Sequence, residues 1–417
     1  MPMIILTCLA SRLSNKQVVW VEDRMEHLTA ASSATGRLTK IKASIDDQGT
    51  IHALDYDQID DVGAYPRAPE PASLYRMHGN LSGAYKVKNI RCRNRVILTN
   101  KTPSGLNRGF GGPQHYFALE RLVHQIAVEL KLNVLDVIKI NLLEKNQFPY
   151  KSPSGALLDS GNFQKLVKKV IESSTYKKIL KNKINSIKNG KIYGIGYSAI
   201  IEPSISNMGY VTTALPYQDR EKTGHKGGAL ASTSVSIGPT GSVYVTCDSL
   251  PQGQGHETIL SQIVADVFGV KLNEIFVNST HDTHKDSWSI AAGNYSSRFA
   301  GAVAGSAYNA AINLKKKLQK IAASELNCKS ENVLFDKGKV FDIKNSDNYL
   351  KFKRLAGIPH WSPGNLPENL NPSLKETCFW GAKELTPPNE KDEINGSLAY
   401  GFVCLLYTSP SPRDLVI

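Results

Sequence analysis

Apolar positions spaced three and four residues apart mark the clearest element of the chain. Leu119, Leu122, Val123, Ile126, Ala127 and Leu130 form one stripe, which predicts a helix with a single buried face within residues 113–143. Lys131-Leu132-Asn133 breaks it, and a second short helix carries Ile138 and Leu142. Upstream, the apolar run 3–10 predicts a buried helix and Val18-Val19-Trp20-Val21 a strand. Two more strands follow at 40–46 and 50–56, turned by Asp46-Asp47-Gln48-Gly49. Beyond a boundary near Asn189-Gly190, strands are expected at 193–202 and 231–247. The latter is a hairpin turned by Gly238-Pro239-Thr240-Gly241, with Val235 and Ile237 facing Val243 and Val245. A helix at 256–268, a strand at Ile275-Phe276-Val277 and a long helix at 297–325 complete the periodic part. Ala300, Gly301, Ala302, Ala304, Gly305, Ser306 and Ala307 suit close helix packing. Residues 340–400 lose periodicity and predict a long surface connection, or a segment whose packing partner is absent. The pattern is that of an α+β protein of two domains, 1–190 and 191–400, with 405–417 standing apart.

Charge changes this picture little. The formal net charge of +13 is concentrated on Lys165, Lys168, Lys169, Lys177, Lys178, Lys181, Lys183, Lys188 and Lys191. These alternate with Leu166, Val167, Val170, Ile171, Leu180 and Ile184 at helical spacing. That is a solvated basic face, and without interleaved aromatics it favours no nucleic acid. No stretch reaches the ~18 apolar residues of a membrane span. Cys8, Cys92, Cys247, Cys328, Cys378 and Cys404 form no CxxC pair, so a reduced cytoplasmic protein without its own iron–sulfur or zinc site is expected. His281-Asp282-Thr283-His284 reads as a loop, and no direct metal ligand stands out.

Three small-residue loops feed helices. Asn107-Arg108-Gly109-Phe110-Gly111-Gly112 runs into Pro113, Pro251-Gln252-Gly253-Gln254-Gly255 into His256, and Ala291-Ala292-Gly293-Asn294-Tyr295-Ser296-Ser297 into the long helix. Glycine admits close backbone approach, and helix N-termini favour anions. Together they suggest a bulky, polar, anionic cofactor. Neither a dinucleotide fingerprint nor a GxxxxGK motif is present, so the spacing leaves its identity open.

At these loops the chain resembles the large subunit of the molybdenum hydroxylases, the family of xanthine dehydrogenase, aldehyde oxidase and aerobic carbon monoxide dehydrogenase. The segments Thr99-Asn100-Lys101-Thr102-Pro103, Arg108 to Gln114 and Glu120-Arg121 resemble its first cofactor-contacting stretch. Gly253 to Thr258, Gln262 to Asp266, Asp282-Thr283 and Tyr295-Ser296-Ser297-Arg298 resemble the second. The likeness runs collinearly over about residues 5–325. It implies two cofactor-binding domains facing a shared crevice and a molybdenum–pterin cofactor, with the cytosine dinucleotide form common in bacteria. Gly109, Gly111, Gly253, Gln254, Gly255, Ser296 and Ser297 are the implied cofactor contacts. Arg108 and Phe110 match catalytic-loop positions beside the metal and substrate. The implied reaction is oxidative hydroxylation of a small aldehyde or N-heterocycle with water as oxygen donor, electrons leaving through iron–sulfur and FAD centres on partner subunits.

Departures from the family pattern also carry expectations. Gly109 replaces the cysteine of copper-dependent carbon monoxide dehydrogenases, which disfavours CO oxidation. The Phe-Gly loop lies ahead of residue 1 in the family and the glutamate base near its C-terminus, so this stretch alone is expected to be inactive. Cys247-Asp248 replaces small residues. Residues 405–414 match nothing in the family and predict a foreign or disordered tail. The competing readings are a non-catalytic remnant that binds an anion or a partner, and a basic nucleic-acid-binding protein.

Overall fold

In the computed structural model, residues 2–34, 36–67, 77–105, 107, 109–188, 193–207, 209–224, 230–280, 282 and 294–409 are described. The chain opens with α1 (Pro2–Ser14) and α2 (Arg24–Ala30). The first is helical, as its sequence predicts, but not buried: Ile5 is 62% and Leu13 77% exposed. Residues 17–23 form no strand, in contrast to expectation. β-propensity alone does not hold a strand without a neighbour for its backbone groups. Asp23 instead caps α2, accepting from Glu26 N–H (2.8 Å) while the Glu26 carboxylate accepts from Asp23 N–H (2.9 Å).

The expected strand pair is longer than its pattern: β1 (Gly36–Ile45) runs antiparallel to β2 (Ile51–Asp61). A strand missed by periodicity, β3 (Asn89–Ile97), pairs parallel to β2. Its arginines and asparagines hid it, because half of it faces solvent. α3 (Gly112–Glu129) and α4 (Val134–Asn141) break at residues 130–133 as predicted. A short ribbon, β4 (Tyr150–Lys151) with β5 (Leu157–Leu158), precedes α5 (Phe163–Glu172) and α6 (Ser174–Lys188). Phe163 and Val167 anchor α5, while the lysines of both helices lie exposed.

The second part contributes β6 (Gly194–Ser206), β7 (Leu230–Ile237) and β8 (Val243–Cys247). The β7–β8 hairpin has the predicted register, Val235 opposite Val245 and Ile237 opposite Val243. α7 (His256–Phe268) and β9 (Ile275–Asn278) follow, and a π-helical turn at Phe299–Val303 leads into α8 (Ala304–Leu326). The supposed surface connection is largely ordered. It holds the meander β10 (Val333–Asp336), β11 (Lys339–Asp342) and β12 (Asn345–Lys351), then α9 (Phe352–Trp361) and β13 (Lys375–Gly381). β13 completes a sheet in the order β13-β7-β8-β9, and Leu355, Ala356 and Ile358 of α9 are core residues. Short strands and a helix of 10 residues give too few repeats for a periodic signal.

Buried apolar residues form two main clusters. In one, Leu314, Leu318 and Ile321 of α8 meet Val235 and Val245 of the sheet and Leu260 and Val264 of α7. In the other, Leu119 and Val123 of α3 meet Leu54 and Tyr56 of β2, Phe163 of α5, and Ala199 and Ile201 of β6. β6 thus follows residue 190 in sequence but packs into the earlier core. It pairs antiparallel with β14 (Ser397–Ser409), whose Phe402 stacks on Phe163 at 4.2 Å. Leu405 to Ser409, expected to be free of regular structure, continue β14 opposite Ser198 to Gly194. Backbone hydrogen bonding needs no side-chain periodicity, so the pattern could not reveal it. Residues 410–417 lie outside the described residues. Among the described residues no helix is long and apolar enough to cross a membrane.

Candidate functional site

β6 and residues 294–298, which precede the π-helical turn, connect the small-residue loops. At the first loop, Gly112 N–H donates to Gly109 O (2.8 Å), closing a tight turn before α3. Gly111 caps that helix in the left-handed region, and no side chain caps it. A methyl placed on Gly112 would lie 3.8 Å from Glu202 Oε2 of β6, so a carboxylate sits beside the positive end of α3. Deeper in α3, Tyr116 Oη donates to Ile201 O, and the Glu120 carboxylate accepts from Ala199 N–H and Tyr85 Oη, both at 2.8 Å. Burial pushes the Glu120 carboxyl up to about 7. Burial, with the Arg37 guanidinium, pushes the neighbouring His115 down to about 3 and keeps it neutral.

The third loop meets β6 at its other end. Ser296 Oγ lies 2.6 Å from Ser206 Oγ, which lies 2.5 Å from Ser397 Oγ. The buried Arg298 donates from Nε (3.0 Å) and Nη2 (2.7 Å) to Ser206 O. These bonds hold three non-glycine residues at positive φ: Ile205 (57°), Ser296 (51°) and Ser297 (55°). Such a cluster costs of order 1–3 kcal/mol per residue and persists only where its surroundings enforce it. Behind it, a methyl on Gly301 would come within 2.0 Å of Ile205 Cδ1, so the small residues here permit close packing as expected.

Asn294 ties the third loop to the second, donating from Nδ2 to Leu250 O (2.6 Å) and accepting from Ser249 Oγ (3.3 Å). Asp248, the departure noted in the sequence, braces the same corner: Ser232 N–H (2.9 Å) and Oγ (3.4 Å) both donate to its Oδ2. The second loop itself stands open. Gly253 (φ 98°) and Gly255 (φ 79°) could each carry a methyl with nothing within 4 Å, yet their backbone conformation favours glycine. Gln254 is exposed, its Oε1 accepting from Gln252 N–H at 2.5 Å. Gly255 caps α7 without a side-chain bond. Behind it His256 is fully buried and stacked on Phe299 (3.7 Å, 5°), with no hydrogen-bond partner for either ring nitrogen among the described residues. Glu257 occupies the exposed side of the same turn. A hydrogen bond from Ser279 and one from its own backbone hold its carboxyl below the usual range.

Of the residues singled out in the sequence, Gly109, Phe110 and Gly111 lie on the first loop, Gly253, Gln254 and Gly255 on the second, and Ser296 and Ser297 on the third. Arg108 lies outside the described residues, as do His281, Thr283 and His284. No group of three or more potential metal-ligating side chains occurs among the described residues. Sequence reasoning passed over Glu202 and Ser206, and gave no individual role to His256 and Arg298, although both lie in segments that carry the family resemblance.

Chain-linked loops, uncapped helix starts, strained serines and an unpartnered buried imidazole fit a large, polar, anionic group. Comparison with known proteins places the chain in a family that binds such a group. Models described as molybdopterin cofactor-binding domain match residues 1–142 and 169–406, and the chain belongs to this family. It is 27% identical over 382 residues to the nicotine 6-hydroxylase large subunit of Paenarthrobacter nicotinovorans, covering 91% of this chain and 45% of that one. The carbon monoxide dehydrogenase large chain of Afipia carboxidovorans is 28% identical over 389 residues, covering 91% and 46%. Among solved structures, quinoline 2-oxidoreductase from Pseudomonas putida 86 superposes with a TM-score of 0.80 at 25% identity, covering 98% of this chain and 49% of that one. The chain spans about half the length of the relatives it matches.

Proposed function

We propose that this chain forms the cofactor-holding part of a molybdenum hydroxylase large subunit that oxidatively hydroxylates a small aldehyde or N-heterocycle. The reading is supported most directly by the contact chain from Leu250 through Asn294, Ser296 and Ser206 to Glu202, which gathers the loops along one strand. Relatives named for nicotine and quinoline point to an N-heterocycle. The bound cofactor, in its cytosine dinucleotide form, supplies two-electron oxidation of a carbon centre with oxygen from water.

In this reading Gly253 and Gly255 bring backbone against the pterin, and the Gln254 amide donates to it while its oxygen braces Gln252. Ser296 and Ser297 close the opposite side. His256 stands buried behind the second loop, its ring nitrogens without a partner among the described residues. Gly109 and Gly111 let the first loop approach, while Arg108 and Phe110 orient substrate beside the metal. The Glu202 carboxylate makes the first loop a poor place for a further negative charge, so the anionic tail belongs at the second loop. Partner subunits with iron–sulfur and FAD centres would carry the electrons away, in the cytoplasm. The test is molybdenum and pterin content of Gln254→Ala and Arg108→Ala in the assembled enzyme. Loss in the first with retention in the second is expected; the reverse would overturn these roles.

A further inference from the structure

Away from the glycine-rich loops, a crevice of about 820 Å³ opens along the β1-β2-β3 sheet, walled also by Pro153, Thr213 and residues 391–393. The register sets two charged rows across the strands: Lys42, Asp55 and Arg91, then Lys40, Asp57 and Arg93. Every acid lining the crevice has a close cation. Asp55 pairs with Arg91 (2.5 Å), Asp57 with Arg95 (2.6 Å), Asp392 with Arg220 (2.6 Å) and Glu393 with Lys151 (3.4 Å). Lys40, Lys42, Arg93 and Lys391 line it too, and among the described residues none of them has an ion-pair partner within 4.0 Å. At the wall, His78 Nδ1 is buried without a hydrogen-bond partner.

Cations along a strand at a sheet edge ordinarily discourage unwanted pairing. That role requires no concavity. The volume lies within the range of small-ligand sites, and lysine and arginine together suit phosphate oxygens. We propose that this crevice is a second binding site, independent of the cofactor, for a small ligand carrying a chain of two or more phosphates. Lys40, Lys42, Arg93 and Lys391 neutralise the phosphates. An acidic polypeptide is disfavoured because the charges converge in a pocket rather than along a flat strip.

Calorimetric titration of the full chain with inorganic tripolyphosphate tests this. Saturable binding that weakens with added salt is expected. The double variant Lys40→Gln/Arg93→Gln should weaken it about tenfold or more. The control Lys177→Gln/Lys178→Gln, on α6, should leave it unchanged. All four side chains are exposed, and circular dichroism verifies the fold. ATP separates two sources of the same chemistry: tighter binding than tripolyphosphate assigns a nucleotide, and equal binding assigns the phosphate chain alone. The proposal is overturned by absence of saturation at millimolar tripolyphosphate, by equal weakening in both double variants, or by tighter binding of a polyglutamate peptide.

Discussion

Gly111 and Gly255 cap their helices in the same way, each left-handed at φ 79° with no side-chain bond. Around Gly111 the chain is buried, and Glu202 reaches the adjacent Gly112 from β6. Around Gly255 the loop is exposed, and nothing lies within 4 Å of an added methyl. Two similar backbone devices thus have different electrostatic uses. The packed one has its helix dipole answered from within the protein, and the open one presents N–H groups outward. A glycine-rich turn before a helix is therefore an anion site only if its surroundings leave it so.

The largest expected effect tests the open side. Gln254→Ala should weaken cofactor affinity about ten- to hundredfold, the cost of one lost buried amide contact in the complex, read as lower molybdenum content per protein. Gln254→Glu retains the oxygen that braces Gln252 but loses the donor. Full molybdenum in that variant would mean that the residue only shapes the loop.

Arg298→Met comes next. It removes two donors to Ser206 O and should lower stability by ~2–4 kcal/mol, read as a lower thermal midpoint. Protease cutting near residues 294–297 should rise as the strained serines relax. An unchanged midpoint would remove Arg298 as the brace between β6 and the third loop.

The packed side has a pH signature. The folded Glu120 carboxyl titrates near 7, against 4.5 for an ordinary glutamate, so the folded state holds its proton longer than the unfolded state does. Its contribution is fully present below about pH 4.5 and is lost as pH rises through 7, on the order of 3 kcal/mol. Glu120→Gln should flatten this fall in melting temperature between pH 5 and 8. A fall as steep as that of the parent chain would show that Glu120 is not responsible.

Smaller effects concern β6. Ending the chain at Cys404 removes the pairing of Leu405 to Ser409 with β6, and a drop of a few degrees in the melting temperature is expected. No change would support the tail reading for these residues. Glu202→Gln should cost α3 ~0.3–1 kcal/mol, with the difference narrowing in high salt. A gain in stability would mean that the carboxylate is not answering the helix dipole.

The elements most legible in the sequence were those with internal repetition. The stripe of α3, the β7–β8 hairpin and the span of α7 follow from side-chain spacing and turn residues close in the chain. The order Arg-Gly-Phe-Gly-Gly, Gly-Gln-Gly and Ser-Ser-Arg carried the family resemblance. β3, α9 and β14 were not legible, since each is short, half solvated, or held by backbone bonds to a distant partner.

By itself the sequence determined which residues could form loop-to-helix turns and which family they resemble, because both depend on local order. Only the tertiary structure decided how those turns are used. It placed β6, which follows residue 190, in the core of the earlier segment and strung Glu202, Ser206 and Ile205 between loops far apart in the chain. The strain at Ser296, the buried imidazole of His256 and the convergence of Lys40, Lys42, Arg93 and Lys391 on one crevice likewise depend on which distant groups come near. Burial, ion pairing and helix-dipole compensation are properties of neighbours in space, and a linear pattern does not name them.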